Sequence, residues 1–511
     1  KRKGEMNMNT GNNGYQYVEE PIKKKQQMPP LVRRIADDYR FFGGLSAAYG
    51  AVFAFCLYKN LHGITFPLCI AATIGFAYVF MKKIEFRLQK GSGFYIAGMI
   101  LLGISTAYTS SFFFHFFNMA GIILLFFVFM IHQFYNDYEW NLPGYLKRML
   151  ILLGTTIECI PYPIMHGTAY FSKDKSGKNR TAAAIGIGAA AAAGMLCIIL
   201  PLLLKSDLMF SKIFGDILKY INFGTIIGVS VTFATGTFLS YSFFAALCRH
   251  NFPEGNTRRM KYYHPLVGIT FTGIISLVYV MYCMVQIIYL FGRIRIGLPE
   301  GVTYAQYARG GFWELLFVSI INFVMVLVCM YLFYDNILLK TILTVISGCT
   351  FIMIISAAYR MKLYVAAYHL TFLRILVLWF LAVLALIMGG VIASMYKKSF
   401  PLFKYIMAAV SVTYILFAFS RPDVIAIRYN MEHAQIKKAE DITYFLYKGS
   451  VDAAPEILKI NIYEYDDSEY LKKQIYSYYE RISTDYEDVF FRKANYSEIR
   501  AKMAADEYLG K

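Results

Sequence analysis

Apolar runs of about 17 to 25 residues recur along this chain, and no other feature constrains its fold as much. A helix rises about 1.5 Å per residue, so about 20 apolar residues cross a hydrocarbon core about 30 Å thick. Eleven such runs are read, at roughly 41–58, 64–81, 94–110, 114–135, 183–204, 220–246, 265–291, 311–334, 341–359, 373–395 and 404–420. Inside lipid every backbone N–H and C=O must be satisfied within the protein, which makes each run a helix. The composition agrees, with 57% of the 511 residues hydrophobic and 16% charged, against about a quarter charged in soluble domains. The expected fold is all-α, a polytopic transmembrane bundle of about eleven spanning helices with a small helical C-terminal domain.

Three zones follow. Residues 1–40 form a basic, disordered N-terminus and interfacial segment, 41–420 the transmembrane domain, and 421–511 a tail of different material, with 14 basic and 17 acidic residues and no long apolar run. Within the tail, Ala439–Tyr447, Ala453–Ile460 and Glu469–Ile482 show 3.6-residue periodicity. The segment 136–182 is apolar in part but broken by Pro161, Pro163 and Gly167. It reads as an in-plane or re-entrant helix on the cytoplasmic side; a crossing hidden there would reverse every later span.

Charge sets the orientation. Of the 51 Lys and Arg, 27 fall on one side of the eleven-span layout and 10 on the other before the tail, which holds the remaining 14. The positive-inside rule then puts the N-terminus in the cytoplasm and the tail outside. The net charge of +18 therefore follows topology, and no basic face for nucleic acid is present. The eight cysteines sit in or beside apolar runs, without a C-x-x-C pair, and read as small buried hydrophobes.

No P-loop, zinc-protease or nucleophile-elbow string occurs. Gly186-Ile-Gly-Ala-Ala-Ala matches a dinucleotide fingerprint in form, but it lies in an Ala-rich apolar run and reads as close helix packing. The eight His are scattered, so neither a metal site nor a cofactor is expected. What stands out is polar residues at span ends, all on the predicted outer face. Asp207, Glu314 and Asp423 are the candidate acids or bases; Tyr304, Tyr307, Arg309, Arg360, Tyr364, Arg374, Arg428 and Asn430 are candidates for holding an anionic substrate. Each alone also fits a cap or an interfacial anchor; Asp423, after a proline, suits the N-cap of the tail's first helix.

The strings Asp207-Leu-Met-Phe, Tyr289-Leu-Phe-Gly, Tyr304-Ala-Gln-Tyr-Ala-Arg-Gly-Gly-Phe-Trp-Glu-Leu, Arg360-Met-Lys-Leu-Tyr, Tyr368-His-Leu-Thr with Arg374, and Pro422-Asp-Val-Ile-Ala with Asn430 resemble a bacterial membrane family known as domain of unknown function 4173, related to domain 4153. The resemblance spans roughly residues 190–450. The family usually has Gly where this chain has His369 and Asn where it has Arg421. The resemblance implies a bacterial cytoplasmic-membrane protein and no particular reaction.

Three function classes fit. A membrane enzyme would act on a lipid-linked or envelope substrate at an outward-facing site. Eleven spans with an outer C-terminal domain is also the layout of many polyprenyl-phosphate-sugar glycosyltransferases, but the loop 59–63 lacks the carboxylate they need. A secondary transporter would use weak points near the membrane midplane, such as Asn118, Gly224, Gly228, Gly236 and Gln286. An envelope sensor or scaffold would use the outer clusters to dock its tail. The expected partners are membrane lipid with an envelope protein or a lipid-linked substrate, and no nucleic acid.

Overall fold

The computed structural model describes residues 28–135, 142–172, 223–249, 263–291, 311–397, 399–433, 438–487 and 491–510, with isolated positions between 181 and 206. A short amphipathic helix, α1 (Pro30–Asp37), leads into α2 (Tyr39–Leu57), α3 (Thr65–Lys83), α4 (Ser92–Tyr108) and α5 (Phe112–Phe134). Next come α6 (Leu142–Glu158), α7 (Tyr162–Ser172) and α8 (Phe223–Arg249). A second set follows: α9 (Pro265–Phe291), α10 (Phe312–Leu332), α11 (Ile337–Tyr368), α12 (Phe372–Tyr396) and α13 (Leu402–Phe419). The tail contributes α14 (Pro422–His433), α15 (Ala439–Lys448), α16 (Ala454–Ile457), α17 (Ser468–Asp485) and α18 (Tyr496–Leu509).

Among the described residues nine helices are long and apolar enough to cross a membrane, and α4 is a shorter apolar tenth. The eleventh expected run, 183–204, falls almost wholly outside the described residues. Surface chemistry identifies the solvent around these helices. On α9, Leu266, Phe271, Ile274, Leu277, Val278, Met281 and Met284 are all exposed. A helix this apolar and this uncovered faces hydrocarbon, not water. The protein is a membrane-embedded, multipass, all-helical bundle.

The helices form two groups. In the first, α2–α6 and α8 enclose Phe42, Phe66, Phe80, Met99, Phe129 and Tyr145. Gly50 lets α2 lie against α8; a Cβ there would stand 2.1 Å from Thr237 Oγ1 and 2.8 Å from the Phe233 carbonyl. In the second, α9–α12 enclose Val326, Leu343, Ile346, Met353, Leu381 and Met388. Helix α13 bridges them, packing on α4 and on α12, with Trp379 stacked on Phe417 at 5.1 Å. A buried polar strut reinforces this bridge. Asn118 Nδ2 donates to Ser105 Oγ (3.3 Å) and Thr106 Oγ1 (3.1 Å), and its Oδ1 accepts from the Tyr414 hydroxyl at 2.9 Å. Hydrocarbon offers these atoms no alternative partner, so the three helices are tied to one another.

The tail packs at the end of the bundle where α2, α4, α11 and α13 finish. Helices α6 and α7, bent by 49° at their junction, keep to the opposite end. Tyr145 stacks on Phe403 at the start of α13, Glu158 pairs with Arg249 at the end of α8 (2.9 Å), and Tyr170 meets Tyr39 at the start of α2. Both helices therefore make these contacts at one end of the bundle. Helix α8 starts at the tail end, where Gly228 lies beneath the Tyr58 ring.

The tail is a compact helical unit. Ile442, Phe445 and Leu446 of α15 meet Leu471, Ile475, Tyr479 and Ile482 of α17 and Ala501 and Ala505 of α18, and this core runs on into that of α10–α12.

Candidate functional site

The described members of the predicted polar set, Glu314, Arg360, Tyr364, Arg374, Asp423, Arg428 and Asn430, all lie at the tail end. Asp207, Tyr304, Tyr307 and Arg309 fall outside the described residues. At this end the tail meets the bundle along two seams of different character.

The first seam joins the tail to α2–α5. Asp452, 3% exposed, accepts from the Ser110 backbone N–H (2.7 Å), Ser110 Oγ (2.6 Å), Thr109 Oγ1 (2.5 Å) and Ser497 Oγ. Helix α5 starts just beyond, and its N-cap Ser111 makes no side-chain cap of its own. The carboxylate from the tail thus supplies the negative charge that a helix N-terminus favours. Asn495, fully buried, donates to the carbonyls of His62, Thr106 and Thr109 at 3.0–3.2 Å, while its Oδ1 caps α18 through the Ser497 N–H. Arg492 donates to the carbonyls of Phe55 (2.7 Å) and Tyr58 (2.9 Å), a cation at the C-terminus of α2. Arg421, at φ 52°, donates to the Asp452 carbonyl and lies over the Tyr108 ring. Of these four, only Arg421 was noted in the sequence, as a departure from the family pattern, and none was a site candidate. Asn495 with Glu498 three residues on has capping-box spacing and was legible as a helix start; its grip on the α4 carbonyls was not.

The second seam joins the tail to α10–α12 and contains a cleft of about 350 Å³. Its walls are Phe312 and Trp313 of α10, Met361 and Tyr364 of α11, Thr371, Leu373, Arg374 and Val377 at the start of α12, and Tyr444 of α15. Arg374 lies 4.3 Å above the Tyr364 ring and donates to the Tyr368 carbonyl. No carboxylate among the described residues pairs with it. One turn earlier on α11 the buried Arg360 donates to Gln286 Oε1 (3.4 Å), which also accepts from Ser356 Oγ. Gly311 suits this turn because its φ is +79°, which a side-chain-bearing residue adopts only with strain; the tip of Arg360 lies close by, 2.8 Å from where a Cβ would stand. Glu314, exposed in the first turn of α10, suits the helix dipole there.

The remaining predicted residues hold the tail in place. Asp423 is not an N-cap; it lies inside α14 and accepts from the Ser450 backbone N–H (3.0 Å) and hydroxyl (2.6 Å). Burial pushes its carboxyl above the usual range, against the pull of those two bonds. Arg428 pairs with Glu456 at 2.8 Å, and Lys459 joins them. Burial works to raise the Glu456 carboxyl, but the two cations outweigh it and hold it below its ordinary value. Asn430 grips the backbone of Leu370 at both ends, accepting from its N–H (2.7 Å) and donating to its carbonyl (2.9 Å). No cluster of His, Cys, Asp and Glu among the described residues could hold a metal ion.

The chain's likeness to known sequences coincides with this region. The family model described as domain of unknown function DUF4153 matches residues 96–460. The chain belongs to the DUF4153 family. The DUF4153 match runs from α4 through α16, so it includes the cleft and Asp452 but leaves α1–α3 and the last two tail helices outside. No curated protein and no solved structure shows a significant match.

Proposed function

We propose that this DUF4153 member is a bacterial cytoplasmic-membrane protein, with its N-terminus inside and its tail outside, that binds an anionic membrane amphiphile in the cleft between α10, α11, α12 and α15. The observation that carries this reading is the cleft itself. A guanidinium without a carboxylate partner among the described residues, Arg374, sits among aromatic and aliphatic walls at the level where the spans end. Cationic and aromatic groups in one pocket match a charged head on an apolar body. Exposed Trp313, Leu373 and Tyr444 at the rim leave the cleft accessible from lipid. The orientation rests on the 27-to-10 distribution of Lys and Arg, and a place in the related family 4173 belongs to the same reading.

Catalytic roles for Asp207 and Glu314 on such a substrate extend this reading; Asp423, bonded to Ser450 inside the tail, fits a structural role. Transport is disfavoured by one observation. Asn118, one of the predicted weak points for transport, has its amide engaged by Ser105, Thr106 and Tyr414. The test is mass spectrometry of lipid retained by the purified protein. Wild type should carry an anionic lipid, and Arg374→Ala should reduce it about tenfold, the loss of one charge-assisted contact. Equal retention by both proteins, or retention of neutral lipid alone, would overturn the reading.

A further inference from the structure

Helix α11 ends at Tyr368, and the next residue has an unusual backbone. His369 sits at φ 65° and ψ 170°, a region that side-chain-bearing residues enter only under strain and only when their surroundings hold them there. Its surroundings do hold it. His369 Nε2 lies 3.1 Å from Asp441 Oδ2 on α15. Asp441 is three residues before Tyr444 and so shares its face of the helix, and Tyr444 is the wall that the tail gives the cleft. The next residue, Leu370, is clamped by Asn430 of α14. Thr371, after that, lines the cleft. Two consecutive residues therefore fasten two tail helices to the mouth of the pocket, and the third lines it.

We propose that His369 is a positioning residue, its ring latching α15 over the cleft through Asp441 and so setting the amphiphile's access. This rests on the reading of the cleft as the amphiphile site. The charged groups around the pair are Lys438 and Glu440 at the start of α15, Asp466, which accepts from the Ala439 N–H, and Arg374 on the bundle side. Burial raises the Asp441 carboxyl, while His369 and Lys438 oppose that rise. The pair is thus broken at acid pH when Asp441 takes up a proton, and above that limit the latch is closed.

The test uses the full chain in nanodiscs and two independent readouts: hydrogen exchange of the α15 amides, corrected for intrinsic rates between pH 4.5 and 9, and association of a fluorescent short-chain phosphatidic acid. In wild type, α15 protection should fall toward acid pH, with probe association fastest where protection is least. His369→Ala and Asp441→Asn should exchange about three- to fivefold faster at neutral pH, as expected for one partly exposed contact, and bind the probe faster. His369→Gly, which relieves the backbone, should lose the latch equally, separating pairing from strain. His369→Arg, which sets a cation opposite Asp441, should keep α15 protected at neutral pH. If His369→Ala matches wild type in both readouts, or His369→Arg exchanges as fast as His369→Ala, the latch is overturned. If wild type binds no probe at any pH, the reading of the cleft falls, and with it the claim about access.

Discussion

The two seams between tail and bundle are made of similar residue types and end in different states. Against α2–α5, Asp452, Asn495 and Arg492 have their polar atoms taken up by backbone and hydroxyl groups of distant segments. Against α10–α12, Arg374 faces a cavity, and the His369 and Asp441 side chains beside it are 24% and 33% exposed. A buried polar group with every partner in place fixes geometry, because any displacement strands a donor or acceptor in a poor solvent. A charged group beside a cavity keeps interaction energy available for something else. The difference teaches that residue type at a membrane boundary says little about role; the degree of satisfaction says more.

The sharpest way to break this comparison is Asp452→Ala, which strands the Ser110 N–H and three hydroxyls at once. It should destabilise the fold by about 3 kcal/mol or more, read by denaturant unfolding in detergent and by faster exchange in α18. Asn495→Ala should cost about 2 kcal/mol in the same assay, since three carbonyls at the ends of α2–α4 lose their donor. Arg374→Ala, by contrast, should stay within about 1 kcal/mol of wild type while losing its bound anionic lipid. A stability loss as large as that of Asp452→Ala would make both seams structural.

The smallest effect sharpens the contrast between two buried carboxylates. Asp423 has a carboxyl raised by burial. A raised carboxyl contributes stability below its unfolded pKa and loses it as pH rises through the folded value. The charged form is therefore the unfavourable one at neutral pH. Asp423→Asn keeps an acceptor for Ser450, so its melting temperature at pH 7 should equal or slightly exceed that of wild type, and the difference should vanish toward pH 4. A marked drop at pH 7 would show that the charge itself is needed.

The spans were legible because one length, the hydrocarbon thickness, governs them all. Where the reading stopped early, charge was the reason. The run at 341–359 ends before Arg360, yet α11 continues to Tyr368, because Arg360 finds Gln286 on α9 and Tyr364 lies under Arg374 of α12. Tyr364 and Arg374 stood out as boundary residues and do line the cleft. Tyr444 gave no sign, being one tyrosine among many in a polar tail. Asp452 and Asn495 were hidden for a related reason: their partners lie 342 and 386 or more residues away, and no local pattern records a contact at that distance. Asp423 was visible as a residue near a helix start, but its partner Ser450 lies beyond the reach of capping logic.

The reach of the Asn495 contact also bears on how the molecule is made. Thr106 and Asn495 are separated by 389 residues, which at ordinary synthesis rates is about 20 to 80 s. Throughout that interval the α4 carbonyls and the Ser110 amide at the start of α5 wait without their final partners, on helices already in the bilayer. A segment translated late thus seals hairpins inserted long before it. A ribosome that stops short of residue 495 would release a chain with all its described spans but an unclosed rim, a form that membrane proteases can tell from the finished protein.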